Sequence, residues 1–426
     1  MRSTAAVLCA LVALLGIGLY LSLTGPGSAS DGRTTIRMIC ALPSDVLPTL
    51  RELLKEFEEQ NPDIRVKVEL GVDYTKYQIM LVGGVAPDVM HFSGKRVLSF
   101  ARRNALLNLL PYVEQDQDYH EEDFYPVAWE GAQRTEDSLY YIPWEGSATV
   151  LYYNKDLFDA AGASYPSDDW TWNGLLEACK KLTHDVDGDG RPDQAAISLT
   201  LSICHTGIPW VWQNGGAIFD PGRTRCLVNR PEAIEAIRFF MDFERKHKVT
   251  VTSLAGGEGR NRNELFLSGK IAMVPYIAYN ISSFSKARKL NWDVALYPKG
   301  PKGRAARYTS SGWVIPRQCR HKEQAWRLVR FLTSPKPMMK LALAGDFVPT
   351  RRSLAESEEF NRAETPWDER VLVRAIRGSR PLPGIDRFEE FAAIWKDELD
   401  KVVYSNTSVQ DAMQRITDRV NEMLKP

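Results

Sequence analysis

Residues 141–158, YIPWEGSATVLYYNKDLF, constrain the fold more than any other stretch. A Pro143-Trp144-Glu145-Gly146 turn leads directly into Ala148, Val150, Leu151, Tyr152 and Tyr153, whose apolar, β-branched and aromatic side chains favour a buried strand. Asn154, with Asp156 soon after it, then supplies N-cap and first-turn chemistry for a helix. A turn, a buried strand and a capped helix in immediate succession read as a crossing between two lobes. The length agrees, because 426 residues exceed what one hydrophobic core normally organises. Trp144 beside Glu145 at such a junction suits a hydroxyl-rich ring: an indole covers an apolar C–H face while a carboxylate accepts from hydroxyls. The competing reading makes Trp144 a packing residue and Glu145 a solvated turn charge.

Charge excludes one broad class of partner. Lys and Arg number 54, as do Asp and Glu, so the formal net charge is zero and no nucleic-acid partner is expected. The 11 Trp are more informative, since Trp144, Trp210, Trp212 and Trp313 all lie near turns, where rings can face a ligand. No Gly-x-Ser-x-Gly, P-loop or dinucleotide motif occurs, and the six His form no helix-spaced metal pair, so neither catalysis nor a cofactor is expected.

Residues 1–29 differ in kind from the rest. Arg2 precedes an apolar run of roughly 19 residues, long for a cleaved export signal and near the minimum for a membrane span. Gly27-Ser28-Ala29 offers small residues for cleavage after Ala29, and a retained N-terminal membrane anchor is the alternative. Cys9 lacks the small residue that precedes a lipoprotein cysteine, so no lipid anchor is expected. Of the remaining cysteines, Cys204 and Cys226 are closest in sequence and are the candidate disulfide, against a reading of buried free thiols.

Downstream, residues 35–41 read as a buried strand. Leu50, Leu53, Leu54 and Phe57 follow at helical spacing, and Ile64, Val66, Val68 and Leu70 then alternate with polar residues. Strand, helix, strand implies a parallel pair with a crossover helix. Asp185, Asp187, Asp189 and Asp193 occupy positions 1, 3, 5 and 9 of a calcium-type loop, but position 12 is Ala196, so the bidentate acid is missing. A turn-rich hairpin is the alternative there, and no metal is assigned.

Gly84-Val85-Ala86-Pro87-Asp88-Val89, preceded by Phe57, Glu58, Pro62, Ile64 and Val66, resembles a signature of family 1 of the extracellular solute-binding proteins, the sugar-binding receptors of ABC importers of the maltose-binding type. Tyr153-Asn154-Lys155-Asp156-Leu157-Phe158, Thr171-Trp172, Asn214-Gly215-Gly216, the stretch FLSGKIAM at residues 266–273, Ser311-Gly312-Trp313 and Val348-Pro349-Thr350 are similar to further family segments, in order. The resemblance implies an α/β, two-lobed periplasmic-binding-protein-like fold with a hinge and an interlobe ligand cleft. It implies three crossings, giving lobe 1 residues 30–146 and 293–337 and lobe 2 residues 147–292 and 338–426.

On this reading the ligand-binding candidates are His91, Phe92, Trp144, Glu145, Trp210, Trp212, Asn214, Tyr276 and Trp313. Aromatic rings supply stacking, while the carboxylate and amide select hydroxyls. The expected activity is capture of a carbohydrate outside the cytoplasm, in the periplasm or at the extracytoplasmic face of the cell membrane, by a monomer that delivers it to an ABC transporter permease. The alternatives are an exported carbohydrate-active enzyme and a ligand receptor for a membrane sensor kinase.

Overall fold

The computed structural model describes residues 32–425 except 72–73, 133–134, 186–191, 202–206, 251–259, 278–280, 288–289, 346 and 362–369. The export segment, Cys9, Cys204, Asp187 and Asp189 therefore lie outside the described residues. Cys226 is a buried free thiol.

The strands are β1 (Thr34–Cys40), β2 (Ile64–Leu70), β3 (Val89–Ser93), β4 (Ile142–Ala148), β5 (Val150–Asn154), β6 (Ala195–Ile197), β7 (Ile271–Tyr276), β8 (Trp292–Leu296), β9 (Ala306–Val314), β10 (Val348–Pro349) and β11 (Ser379–Pro381). Among the described residues they form two sheets. The first runs β10-β4-β9-β3-β1-β2 with β11 beside β9, and the second runs β6-β7-β5-β8. β1 and β2 are parallel, and the helix Leu47–Gln60 between them buries Leu50, Leu53, Leu54 and Phe57, which is the expected crossover unit. Trp144, Trp313 and Trp326 belong to a core on the first sheet, Trp172, Trp210 and Trp395 to one on the second, and a third cluster packs Tyr152 and Trp292 of the second sheet with Tyr308 and Val348 of the first.

The crossings are short. Thr149 alone separates β4 of the first sheet from β5 of the second, and its N–H donates to the Arg307 carbonyl at 3.0 Å. Asn154 then caps the next helix by accepting from the Leu157 N–H, as its sequence position implies. The return crossing lies later than the family resemblance implies: Asp293 sits inside β8 opposite Tyr153, and the chain leaves the sheet only at residues 297–305. Trp292 and Val294 are buried, so the strand continues until the glycine- and lysine-rich turn ends it.

The third crossing is later too. β10 pairs with β4, and β11 pairs with β9, so the chain beyond residue 338 stays with the first sheet until the helices Phe388–Tyr404 and Val409–Met423 enter the second core. Between those helices the buried Glu398 carboxylate receives Lys401, Arg415 and Arg419 at 2.9, 2.6 and 2.7 Å, and Ser408 caps the last helix through the Asp411 N–H.

Candidate ligand site

The polar chemistry concentrates on the ribbon that joins the lobes. β4 and β9 are antiparallel, with Glu145 opposite Ser311 and Ser147 opposite Thr309, and the Thr149–Arg307 hydrogen bond extends the register. Side chains alternate along a strand, so Glu145, Ser147 and Thr149 share one face with Ser311, Thr309 and Arg307. Glu145, Ser147, Thr149 and Arg307 are 2%, 3%, 0% and 6% exposed. Burying this many polar groups costs free energy unless each is paired.

The other face of the ribbon is tightly packed. A Cβ on Gly146 would lie 2.5 Å from the Tyr308 hydroxyl, so only glycine admits that ring. Burial pushes the Tyr308 phenol well above its ordinary range, and the Glu145 charge pushes it further, so Tyr308 keeps its proton. Tyr141 donates to Ser310 Oγ at 3.1 Å on the same pair of strands.

On the Tyr308 and Ser310 side of the ribbon, beside Thr309, a recess opens against Gly94 and Lys95 at the start of the helix Gly94–Arg102, Gly131, and residues 381–384, which lead into the lobe-2 helix. It is narrowed to about 20 Å³, space for a single water. Its rim is held by ion pairs between lobes: Lys95 and Arg96 each reach Glu389 at 3.1 Å, and Arg102 reaches Asp386 at 2.7 Å. Lys286 of lobe 2 meets Asp45 of lobe 1 at 3.0 Å. All these pairs are partly solvated, so each contributes at most about 1 kcal/mol and biases closure without locking it.

The structure separates the sequence candidates. Trp144 and Trp313 are 1% and 0% exposed and flank His91, with ring centroids at 6.4 and 5.1 Å; Phe347 packs edge-on to Trp144. These rings present no face to solvent, and they fill the first core because β3, β4 and β9 bring them together from three distant stretches. Trp144 Nε1 donates to His91 Nε2 at 3.4 Å, and burial pushes the His91 pKa down to about 4. Phe92 is fully buried against Tyr77 and Phe100, and Trp210 is buried with its Nε1 on the Tyr297 hydroxyl at 2.8 Å.

Glu145 lies on the polar ribbon face. Tyr276 ends β7 beside the crossing, opposite Val150, with the Arg262 guanidinium 4.2 Å from its ring centroid. Trp212 is half-buried, with Arg380 6.0 Å from its ring, and Asn214 lies in a separate lobe-2 groove. Of the acidic loop, Asp185 and Asp193 flank the His184–Gln194 bridge, and no metal-ligand cluster occurs among the described residues.

Sequence reading missed Lys95, Arg307, Thr309, Ser310 and Glu389. The alternation of Glu145, Ser147 and Thr149 at every second residue, and of Arg307, Thr309 and Ser311, was a usable signal. Polar side chains on both edges of the crossing are not what a core strand carries.

Residues 43–339 match the family of bacterial extracellular solute-binding proteins. An uncharacterised lipoprotein from the oleD 5' region of Streptomyces antibioticus is 26% identical over 411 residues, covering 92% of this chain and 86% of that protein. The sn-glycerol-3-phosphate-binding periplasmic protein UgpB of Salmonella typhimurium is 23% identical over 439 residues, with 96% of each chain covered. An ABC substrate-binding protein of Listeria monocytogenes, solved in complex with cycloalternan, superposes with a TM-score of 0.81 at 25% identity, covering 92% of this chain and 99% of its own. The match spans most of the chain, and the two-lobed fold agrees with it: the protein belongs to the bacterial extracellular solute-binding family, whose relatives include binding proteins of ABC importers.

Proposed function

We propose that the protein captures a neutral mono- or oligosaccharide between its lobes, as a monomer outside the cytoplasm, and delivers it to a membrane permease without altering it. The observation that carries this reading is the polar face of the lobe-joining ribbon. Glu145 accepts from hydroxyls, Arg307 donates to them, and Ser147, Thr309 and Ser311 do either. A saccharide presents that mixture of donors and acceptors, and closure of the lobes removes it from water. The cycloalternan bound to the Listeria relative lends support.

A phosphate ester is the second reading, favoured by the buried Arg307 cation and by the ligand in the name of the Salmonella relative. A thermal-shift and tryptophan-fluorescence screen of the chain lacking residues 1–29 against neutral saccharides and sn-glycerol 3-phosphate tests both. A saturable shift with a saccharide, weakened in Thr309→Trp and with the sugar recovered unchanged, is expected. A response to the phosphate ester alone overturns the saccharide, and new reducing ends overturn simple capture.

A further inference from the structure

Lobe 2 carries a second pocket, apart from the ribbon. It is a groove of about 460 Å³, within the range of small-molecule sites, and every residue lining it comes from lobe-2 elements or the return crossing. Its apolar wall is Phe239 stacked on Trp172, ring centroids 5.0 Å apart and planes 19° from parallel. The crossing loop closes one side, because a Cβ on Gly300 would fall 2.6 Å from Gln213 Cβ and 2.9 Å from the Trp172 ring. Only glycine lets that turn press so closely.

The polar groups have fixed roles. Asn214 is only 8% exposed, and its Nδ2 donates to the Glu232 carbonyl at 2.8 Å and to Glu235 Oε2 at 3.3 Å. Both donor contacts orient the amide, and its oxygen accepts no hydrogen bond among the described residues. Lys299 is held by backbone bonds to Trp170 and Trp172 and reaches the solvated Asp169 at 3.0 Å, leaving ammonium protons to donate. Asn173 stands exposed at the groove mouth.

We infer that this groove is a second saccharide site, independent of the interlobe one. The chemistry excludes other classes in turn. An anion meets Glu235, a cation meets Lys299, and a wholly apolar ligand covers the Asn214 oxygen and the remaining hydrogen-bonding capacity of Glu235 and Lys299 without pairing them. A neutral sugar offers its C–H face to Phe239, donates hydroxyls to Asn214 and Glu235, and accepts from Lys299. It would hold a sugar unit on the flank of lobe 2 whether or not the interlobe site is filled.

The test is saturation-transfer NMR and equilibrium dialysis on the chain lacking residues 1–29, with methyl α-glucoside, methyl β-galactoside, maltotriose and cellotriose as probes. Wild type, Glu235→Ala, Asn173→Ala and Thr309→Trp are compared. Glu235 and Asn173 are exposed, so both alanine variants keep the fold, which matching melting curves verify. The expected result is saccharide binding that persists in Thr309→Trp and weakens about fivefold in Glu235→Ala, the loss of one hydrogen bond. Binding abolished by Thr309→Trp and unchanged in both alanine variants overturns the second site while leaving the interlobe one. Absence of any binding in Thr309→Trp across the probes overturns it as well. Loss in the alanine variants with no effect of Thr309→Trp removes the interlobe reading and leaves this one.

Discussion

Two regions of the molecule set aromatic rings in opposite surroundings. Around His91, the rings of Trp144 and Trp313 are sealed inside lobe 1 and touch only other core groups. In the lobe-2 groove, Trp172 is buried between Trp210 and Phe239, and the half-buried Phe239 walls an open pocket edged by an amide, a carboxylate and an ammonium. An aromatic ring is a keystone in the first place and a wall in the second. The neighbours decide which: apolar strands on every side make a core, and polar groups on one open side make a site.

Truncation breaks this comparison most directly. Trp144→Ala empties a fully buried site and is expected to cost about 3–5 kcal/mol in urea denaturation. A loss under 1 kcal/mol would show that the ring is not a core element.

The next largest effect is from pH. The His91 pKa falls from 6.5 to about 4 on folding, so between those values the unfolded chain binds more protons than the folded one. Stability therefore declines as pH drops through that window, by up to about 3 kcal/mol at its acid end. His91→Gln, which keeps an acceptor for Trp144 Nε1, should flatten that part of the profile in melts from pH 7 to 4.

Smaller changes sharpen the contrast at the lobe rim. Glu389→Ala removes a partner of Lys95 and Arg96 and should cost no more than about 1 kcal/mol, with a salt dependence weaker than wild type. At the other extreme, Glu235→Ala should leave stability within about 0.5 kcal/mol while weakening saccharide binding in the groove. If its melting point falls as far as that of Trp144→Ala, the groove is structural.

Much of the architecture was legible in the sequence. The crossover helix declared itself through Leu50, Leu53, Leu54 and Phe57, and the cap at Asn154 through a hydrogen-bonding side chain at the right offset. Those are local properties. The fate of Trp144 was not local, because it depends on His91, Trp313 and Phe347, which strand pairing delivers from distant parts of the chain. Lys95 and Glu389 are 294 positions apart, so no window of sequence relates them. The position of the return crossing was not local either: Trp292 and Val294, on either side of Asp293, are bound into a core with Tyr152 and Phe284 that distant strands build.

The link of one residue between β4 and β5 has a mechanical meaning. A tether with no slack cannot lengthen, so the lobes cannot slide apart along it, and relative motion at that point reduces to rotation about Thr149 and its bond to Arg307. The bulk of whatever occupies the space between the lobes is then converted into an angle. A pair of fluorophores, one on each lobe, would read that angle as a dial reads the load on a spring.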